Sequence, residues 1–379
     1  MQETAGQGIY VHVPFCRGKC DYCGFYSVAS PAWRGTYLDA IERETRERAG
    51  AFPSRRATTL YVGGGTPSAL SPGELGRVVD ALERELSFDA GAERTIEVNP
   101  EDVTRENLSA WRSMGFNRLS IGAQTFSDDN LRLVHRRHSA RQAIDATRAA
   151  ADAGFDNLSV DLITGLPGQD DDTARRDIET LTRLPACHAS VYLLSVDPST
   201  RLERLARQGK LALAGDDELA ARFAWTSERL AGAGFEHYEI SNFARDGRYA
   251  RHNTAYWQRR HYAGLGPAAH SFDGRARRWN VAHVKRYADA VLSGAPCFEE
   301  EILGDADRYN EYVMTSLRVT WGASRRVLRE EFPAFYERAR PAWERLLDAR
   351  LLREDNDHFR PTPAFWIISD ALLPGLFSA

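Results

Sequence analysis

Six short apolar stretches alternate with helical patterns from the N-terminus onward, and this rhythm constrains the fold more than any other feature of the chain. The stretches are Gly8 to Val13, Thr58 to Val62, Arg94 to Val98, Arg118 to Ile121, Asn157 to Ile163 and His188 to Leu194. Each has the length of a strand, and strand–helix–strand alternation builds parallel βα units. The intervening helices have readable ends. Ser71-Pro72-Gly73-Glu74 offers an N-cap, a proline at the first helical position and a glutamate set for a capping box, just before Leu75, Val78, Val79 and Leu82. Gly115, Gly154 and Gly234 each follow a helical pattern and precede a phenylalanine, where a left-handed residue closes a helix. Their recurrence suggests a weak repeat, although any helix-to-strand loop favours glycine.

Polar or glycine-rich motifs fall just past the C-terminal end of each stretch, the end at which a parallel barrel builds its site. Cys16, Cys20 and Cys23 follow the first, Gly63-Gly64-Gly65-Thr66-Pro67 the second, and Glu97 and Asn99 close the third. Gln124 ends the fourth, Asp161 to Pro167 the fifth, and Ser195 to Pro198 the sixth. Three cysteines cannot all pair among themselves, and thiolates select zinc, copper(I) or an iron–sulfur cluster. Zinc would draw a fourth ligand from nearby His12. A four-iron cluster on three cysteines instead leaves one iron open to a substrate or cofactor. Arg17 and Lys19 would favour the deprotonated thiols and Tyr22 and Phe25 would supply an apolar shell; the plainer reading is surface charge and core packing. The glycine loop lacks the phosphate-loop pattern; it brings backbone close to a ligand or is a tight turn. Glu97, Gln124, Arg136 and Asp161 offer acceptors, an amide and a cation suited to an amino acid and a ribose.

At 379 residues the chain accommodates one large domain and a smaller one. Lys and Arg number 49 against 53 Asp and Glu, so no excess of positive charge argues for nucleic acid. The N-terminus carries no targeting pattern and no apolar run reaches membrane-spanning length, so a cytoplasmic protein is expected. Cys187 and Cys297 stand alone and read as small hydrophobes. After Phe235 the rhythm breaks into a loop-rich stretch dense in aromatics and arginine. The expected division is a barrel over residues 1–235, a bridge region over 236–298 and a helical, winged-helix-like domain over 299–379.

The C-x3-C-x2-C spacing, with Tyr22 between the second and third cysteines, resembles the cluster motif of the radical S-adenosylmethionine (SAM) superfamily. Tyr10 to Cys16, the Gly-Gly-Gly-Thr-Pro loop, Ile96 to Pro100, Gly122 to Gln124, Arg136 and Asp161 to Pro167 together resemble its oxygen-independent coproporphyrinogen III oxidase branch. The resemblance implies an α/β fold, a partial (β/α)6 barrel. It implies a [4Fe–4S] cluster on Cys16, Cys20 and Cys23, and a SAM site lined by Tyr10, Tyr22, Gly64, Gly65, Thr66, Glu97, Gln124, Arg136 and Asp161.

Two features depart from the oxidase. Phe25 stands where that enzyme has a fourth cysteine, and the first strand begins at Gly8 without the longer N-terminal extension. Both departures, and His252-Asn253-Thr254-Ala255-Tyr256-Trp257, are similar to the heme chaperones of the same branch, the HemW family, whose proposed heme-binding motif is H-N-x-x-Y-W. That resemblance implies heme at His252, Tyr256 and Trp257, with Arg248, Arg251, Arg259 and Arg260 available to propionates and His261, His270 and His283 as rival ligands. The plainer reading is that His252 caps a loop and the two aromatics dock it on the barrel. The implied function is delivery of heme to respiratory apo-hemoproteins, with a homodimer and peripheral contact at the inner face of the membrane as further expectations. A coproporphyrinogen III dehydrogenase and a radical-SAM methyltransferase remain as alternatives.

Overall fold

The computed structural model describes residues 6–52 and 54–378. Strands β1 (Gln7–Val13), β2 (Arg56–Gly64), β3 (Ser87–Val98), β4 (Arg118–Gln124), β5 (Asn157–Thr164) and β6 (His188–Leu193) lie side by side in chain order, all parallel. Each stretch read from the sequence is one of these strands. Along each strand successive side chains face opposite sides of the sheet. Val11, Val62, Ile96, Leu119 and Leu158 form one register row facing the helices and share one apolar core. On the opposite face Tyr61, Glu97, Ser120, Asp161 and Ser190 make the barrel interior polar.

The interior is held by buried polar pairs. Arg118 and Glu93 approach to 3.8 Å with both side chains shielded from solvent. His188 bridges Ser159 Oγ at 2.8 Å and the Tyr238 hydroxyl at 2.8 Å.

The stretch expected as a bridge adds strands to both edges of the sheet. β7 (Glu236–Glu239) and β8 (Asn242–Ala244) extend it beyond β6. β9 (Tyr262–Leu265) pairs with β1, and β10 (His270–Phe272), β11 (Ala276–Asn280) and β12 (Phe298–Ile302) follow outward. β1 and β6 are not paired with each other, so the six parallel strands form an open barrel.

Helices Asp305–Ser316, Arg325–Glu331 and Pro333–Asp348 precede a hairpin, β14 (Leu352–Asp355) and β15 (His358–Pro361), and β13 (Ala323–Ser324) pairs with its second strand. This is the winged-helix-like unit. Trp343 stacks on Phe359 at 4.8 Å in its core, which also takes in Phe223 from the helix Asp216–Gly232. Among the described residues no helix is long and apolar enough to cross a membrane.

The capping box is present: Glu74 N donates to Ser71 Oγ at 3.3 Å and Ser71 N to Glu74 Oε2 at 2.7 Å. Ser71→Ala removes one partner from an exposed cap and is expected to cost about 1 kcal/mol, read as a lower urea midpoint with an unchanged slope.

Candidate functional site

A cavity of about 600 Å³ opens at the C-terminal end of the parallel strands, and Cys16, Cys20 and Cys23 form one of its walls. The loop that carries them is held by its ends. Val28 N donates to Pro14 O at 2.7 Å and Cys16 N to Val28 O at 3.0 Å, while Phe15 is buried edge-on against Tyr37. The glycine loop clamps the same segment, with Gly65 N on Val13 O at 2.8 Å and Thr66 N on Phe15 O at 2.8 Å.

This contact gives the glycines a second reason beside approach to a ligand. A Cβ at Gly65 would lie 2.9 Å from the Val13 and Phe15 carbonyl oxygens, and one at Gly64, where φ is +107°, would lie 2.5 Å from the His12 ring. Close approach by the protein's own backbone and imidazole therefore demands glycine there. Thr66 Oγ1 lies 3.4 Å from Cys16 Sγ, so the loop also reaches the thiol directly.

Zinc with His12 as fourth ligand is excluded by the geometry. His12 Nε2 is 2.9 Å from Tyr26 O and Nδ1 is 3.1 Å from the Tyr10 hydroxyl, so both ring nitrogens are engaged. Among the described residues no three His, Cys, Asp or Glu side chains converge on one metal ion. A polynuclear cluster gives each thiolate its own iron and does not require such convergence. Arg17 and Lys19 were expected to ease ionisation of the thiols. Burial is the larger effect and pushes Cys16 and Cys23 upward; Lys19 opposes it at Cys23, Thr66 and Arg136 oppose it at Cys16, and Arg17 pairs with Asp102 at 2.8 Å.

Tyr22, Gly64, Gly65, Thr66, Glu97, Gln124, Arg136 and Asp161 all wall the same cavity. Glu97 accepts from the Tyr61 hydroxyl at 2.8 Å and from Gly64 N at 3.0 Å. Burial, with Asp161 adding to it, pushes its carboxyl up to about 7. Asp161 accepts from Ser120 at 2.7 Å and Ser159 at 3.1 Å, and burial raises it as well. Gln124 ends β4 at φ +67°, a strained conformation for a side chain that faces a cavity. Tyr10 does not wall the cavity; it lies deeper in the barrel, with its ring 6.1 Å from that of Tyr61. Ser120, Asn99 and Tyr192 do wall it. Of these, Ser120 and Tyr192 were singled out by no motif, and only alternation along β4 and β6 could have indicated them.

Arg136 tests what this cavity accepts. Its Nη1 lies 3.6 Å from Cys20 Sγ and its Nη2 donates to Asn99 at 2.8 Å and to Gly122 O at 2.6 Å. Its buried Nε has no partner, and no carboxylate pairs with it among the described residues. A guanidinium held this way beside three thiols calls for an anionic occupant.

His252, Tyr256 and Trp257 lie elsewhere. Residue His252 opens the helix Arg251–Trp257 and its ring enters the N-terminal end of the barrel, opposite the cysteines. Nδ1 is 2.8 Å from Thr59 Oγ1, Nε2 is 2.7 Å from the Tyr256 hydroxyl, and the ring stacks on Tyr61. In this conformation His252 is buried with both ring nitrogens engaged, and burial lowers it to about 3. Trp257 lies under the Arg318 guanidinium at 4.6 Å. The arginines expected to serve propionates are partly engaged by the protein, Arg248 by Asp156 and Arg251 by Gly91 O. Of the rival histidines, His270 stacks on Trp279 and His283 caps the helix Val284–Ser293.

A model of the radical SAM superfamily matches residues 10–181. The chain is 37% identical over 322 residues to the heme chaperone HemW of Mycobacterium tuberculosis, spanning 83% of this chain and 82% of that protein. It is 35% identical over 327 residues to the heme chaperone HemW of Bacillus subtilis, spanning 85% and 86% respectively. The chain belongs to the heme chaperone HemW family. The fold is also that of coproporphyrinogen III oxidase (HemN) from Escherichia coli, with a TM-score of 0.85 over 98% of this chain and 90% of that one. At 23% identity the likeness to that oxidase concerns the fold alone.

Membership of the radical SAM superfamily implies a [4Fe–4S] cluster and SAM for this HemW-family chain. The cavity suits both: three thiols on one wall, buried acids and amides on the others, and an unpaired buried guanidinium between them. Phe25, at the position of the oxidase's fourth cysteine, is 71% exposed at the rim.

Proposed function

We propose that this chain is a heme chaperone that binds heme together with a SAM-liganded [4Fe–4S] cluster and passes the heme to apo-hemoproteins of respiratory chains. The observation that carries the reading is the identity to heme chaperones over more than four-fifths of the chain. The thiol-walled cavity supports it.

In this reading Cys16, Cys20 and Cys23 would hold the cluster, which would supply an open iron for SAM. Glu97 and Asp161 present acceptors, Gln124 and Thr66 polar groups, Gly64 and Gly65 backbone, and Arg136 a cation, while Tyr22 packs on the apolar side against Ile163 and Leu166. Tyr10 and His12 brace this set from below through their hydrogen bond. The barrel walls keep these groups in place and limit the access of water. Transfer at the inner face of the membrane, and a homodimer as the working form, belong to the same proposal.

The test is anaerobic titration of heme into the cluster- and SAM-loaded protein, followed by absorption, and then mixing with an apo-cytochrome. Stoichiometric binding and transfer are expected. Failure to bind heme sinks the reading. Formation of protoporphyrinogen from coproporphyrinogen by the reduced, loaded protein would assign it to the dehydrogenase reading instead.

A further inference from the structure

Among the residues that wall the thiol cavity there is a single histidine, His135, and it is held as a metal ligand is held. Its Nδ1 lies 3.0 Å from Asp21 Oδ2, and the Asp21 side chain is buried. A buried carboxylate on Nδ1 fixes the tautomer that leaves a lone pair on Nε2 and raises the donor strength of the ring. Nε2 has one long contact, 3.4 Å from Arg201 Nη1, which also lies 3.4 Å from Asp21 Oδ1. The His135 side chain is 54% exposed.

Three segments converge to hold this pair. Asp21 follows Cys20 directly, its N–H donates to Val134 O at 3.3 Å, and its carbonyl accepts from Leu202 N at 2.9 Å. His135 has φ +57°, in the left-handed region, where a non-glycine residue costs about 1 kcal/mol or more. Glycine would relieve that strain, so the imidazole persists at a position that disfavours it. Around it the cavity presents the exposed ring of Phe25, the half-exposed ring of Tyr192, and Arg17 and Arg137, which pair with Asp102 at 2.8 Å and with Glu101 at 3.8 Å. A half-exposed imidazole whose Nε2 has only that long contact, with aromatic faces beside it, matches a flat metalloporphyrin. His252, with both nitrogens engaged inside the barrel, offers none of this in the same conformation.

We propose that His135, oriented by Asp21, is the axial ligand through which heme iron binds at the mouth of the cavity. The inference rests on the heme-chaperone reading. The lone pair on Nε2 forms the bond to iron, and no electron or proton changes hands.

The test is ferric heme titration of the full-length, cluster- and SAM-loaded protein, read by absorption and electron paramagnetic resonance. His135→Ala and His135→Gly are compared with wild type, and iron content and urea midpoint are checked in each. His135→Gly fits the φ +57° backbone without strain and is expected to be at least as stable as wild type. Both variants are expected to bind heme at least about 100-fold more weakly, lose the histidine-ligated signal and regain it with added imidazole. Asp21→Asn is expected to keep the histidine signal but raise the heme midpoint potential, because the ring is then a weaker donor. Wild-type affinity and spectrum in both His135 variants would overturn the inference while leaving the chaperone reading intact. Loss of the histidine signal in His252→Ala with full retention in His135→Gly would also overturn it. If wild type binds no heme, the chaperone reading fails as well.

Discussion

Alanine at any one of Cys16, Cys20 or Cys23 is expected to abolish stable cluster binding while leaving the fold in place. Changes in the groups around a metal ligand typically cost 10- to 100-fold in affinity, so removing a ligand itself is expected to cost at least about 100-fold. Neither of the nearest candidates in sequence replaces a lost thiolate. His12 is committed to Tyr26 and Tyr10, and Phe25 offers no donor. The fold does not depend on these thiols, because each is only partly buried and none belongs to an apolar core. Iron and sulfide per chain after anaerobic reconstitution are expected to fall to background in all three variants. Their circular dichroism and urea midpoints in the cluster-free state should match wild type within about 0.5 kcal/mol. Cys187→Ala and Cys297→Ala serve as controls that keep full iron. A Cys20→Ala protein that retained four irons per chain would remove the basis of the site.

The parts legible in the sequence are those governed by local pattern. Parallel strands with an apolar face read as short apolar runs, so the sequence locates β1, β2, β4, β5 and β6 within about three residues of their observed ends and the motifs after them at one end of the barrel, whereas β3 begins at Ser87, before the stretch from Arg94. β7 to β11 were not read, because three- to five-residue strands such as His270–Phe272 and Ala276–Asn280 carry arginines and aromatics without clean alternation. The second reason for Gly64 and Gly65 was also hidden, since it lies in the His12 ring and the Val13 and Phe15 carbonyls that the fold brings against them. His252 shows the same limit. Its neighbours Tyr256 and Trp257 are local and suggest an exposed aromatic site. The partners that close it, Thr59 and Glu93, come from distant strands. His135 went unnoticed for a matching reason: its partner Asp21 lies on another loop and its positive φ is invisible in the sequence.

Glu97→Gln is expected to change stability and ligand binding in opposite directions. The carboxyl is raised from 4.5 to about 7 in the folded protein, chiefly by burial. Below pH 4.5 it is neutral in both states and imposes no penalty. As pH rises the unfolded chain ionises first, so wild-type stability falls until the folded carboxyl ionises near 7 and stays lower above it. Because Glu97 faces the cavity and is partly open to its water, about 2 kcal/mol is the size expected for this loss. Glu97→Gln has nothing to ionise, so its urea-derived stability in the ligand-free state should lack this fall, converging on or passing wild type at neutral pH. The glutamine loses one acceptor for Gly64 N, which offsets about 1 kcal/mol of that advantage. SAM binding should move the other way. A hydrogen bond from SAM to a charged carboxylate is worth about 1.5–3 kcal/mol, so the variant should bind SAM about tenfold or more weakly by calorimetry on the cluster-loaded protein. Equal SAM affinity with the altered pH profile would show that Glu97 is a buried acid braced by Tyr61 and remove it from the ligand contacts. Weaker binding with that profile would place the stability cost of Glu97 where the chain uses it, on the wall of the thiol cavity.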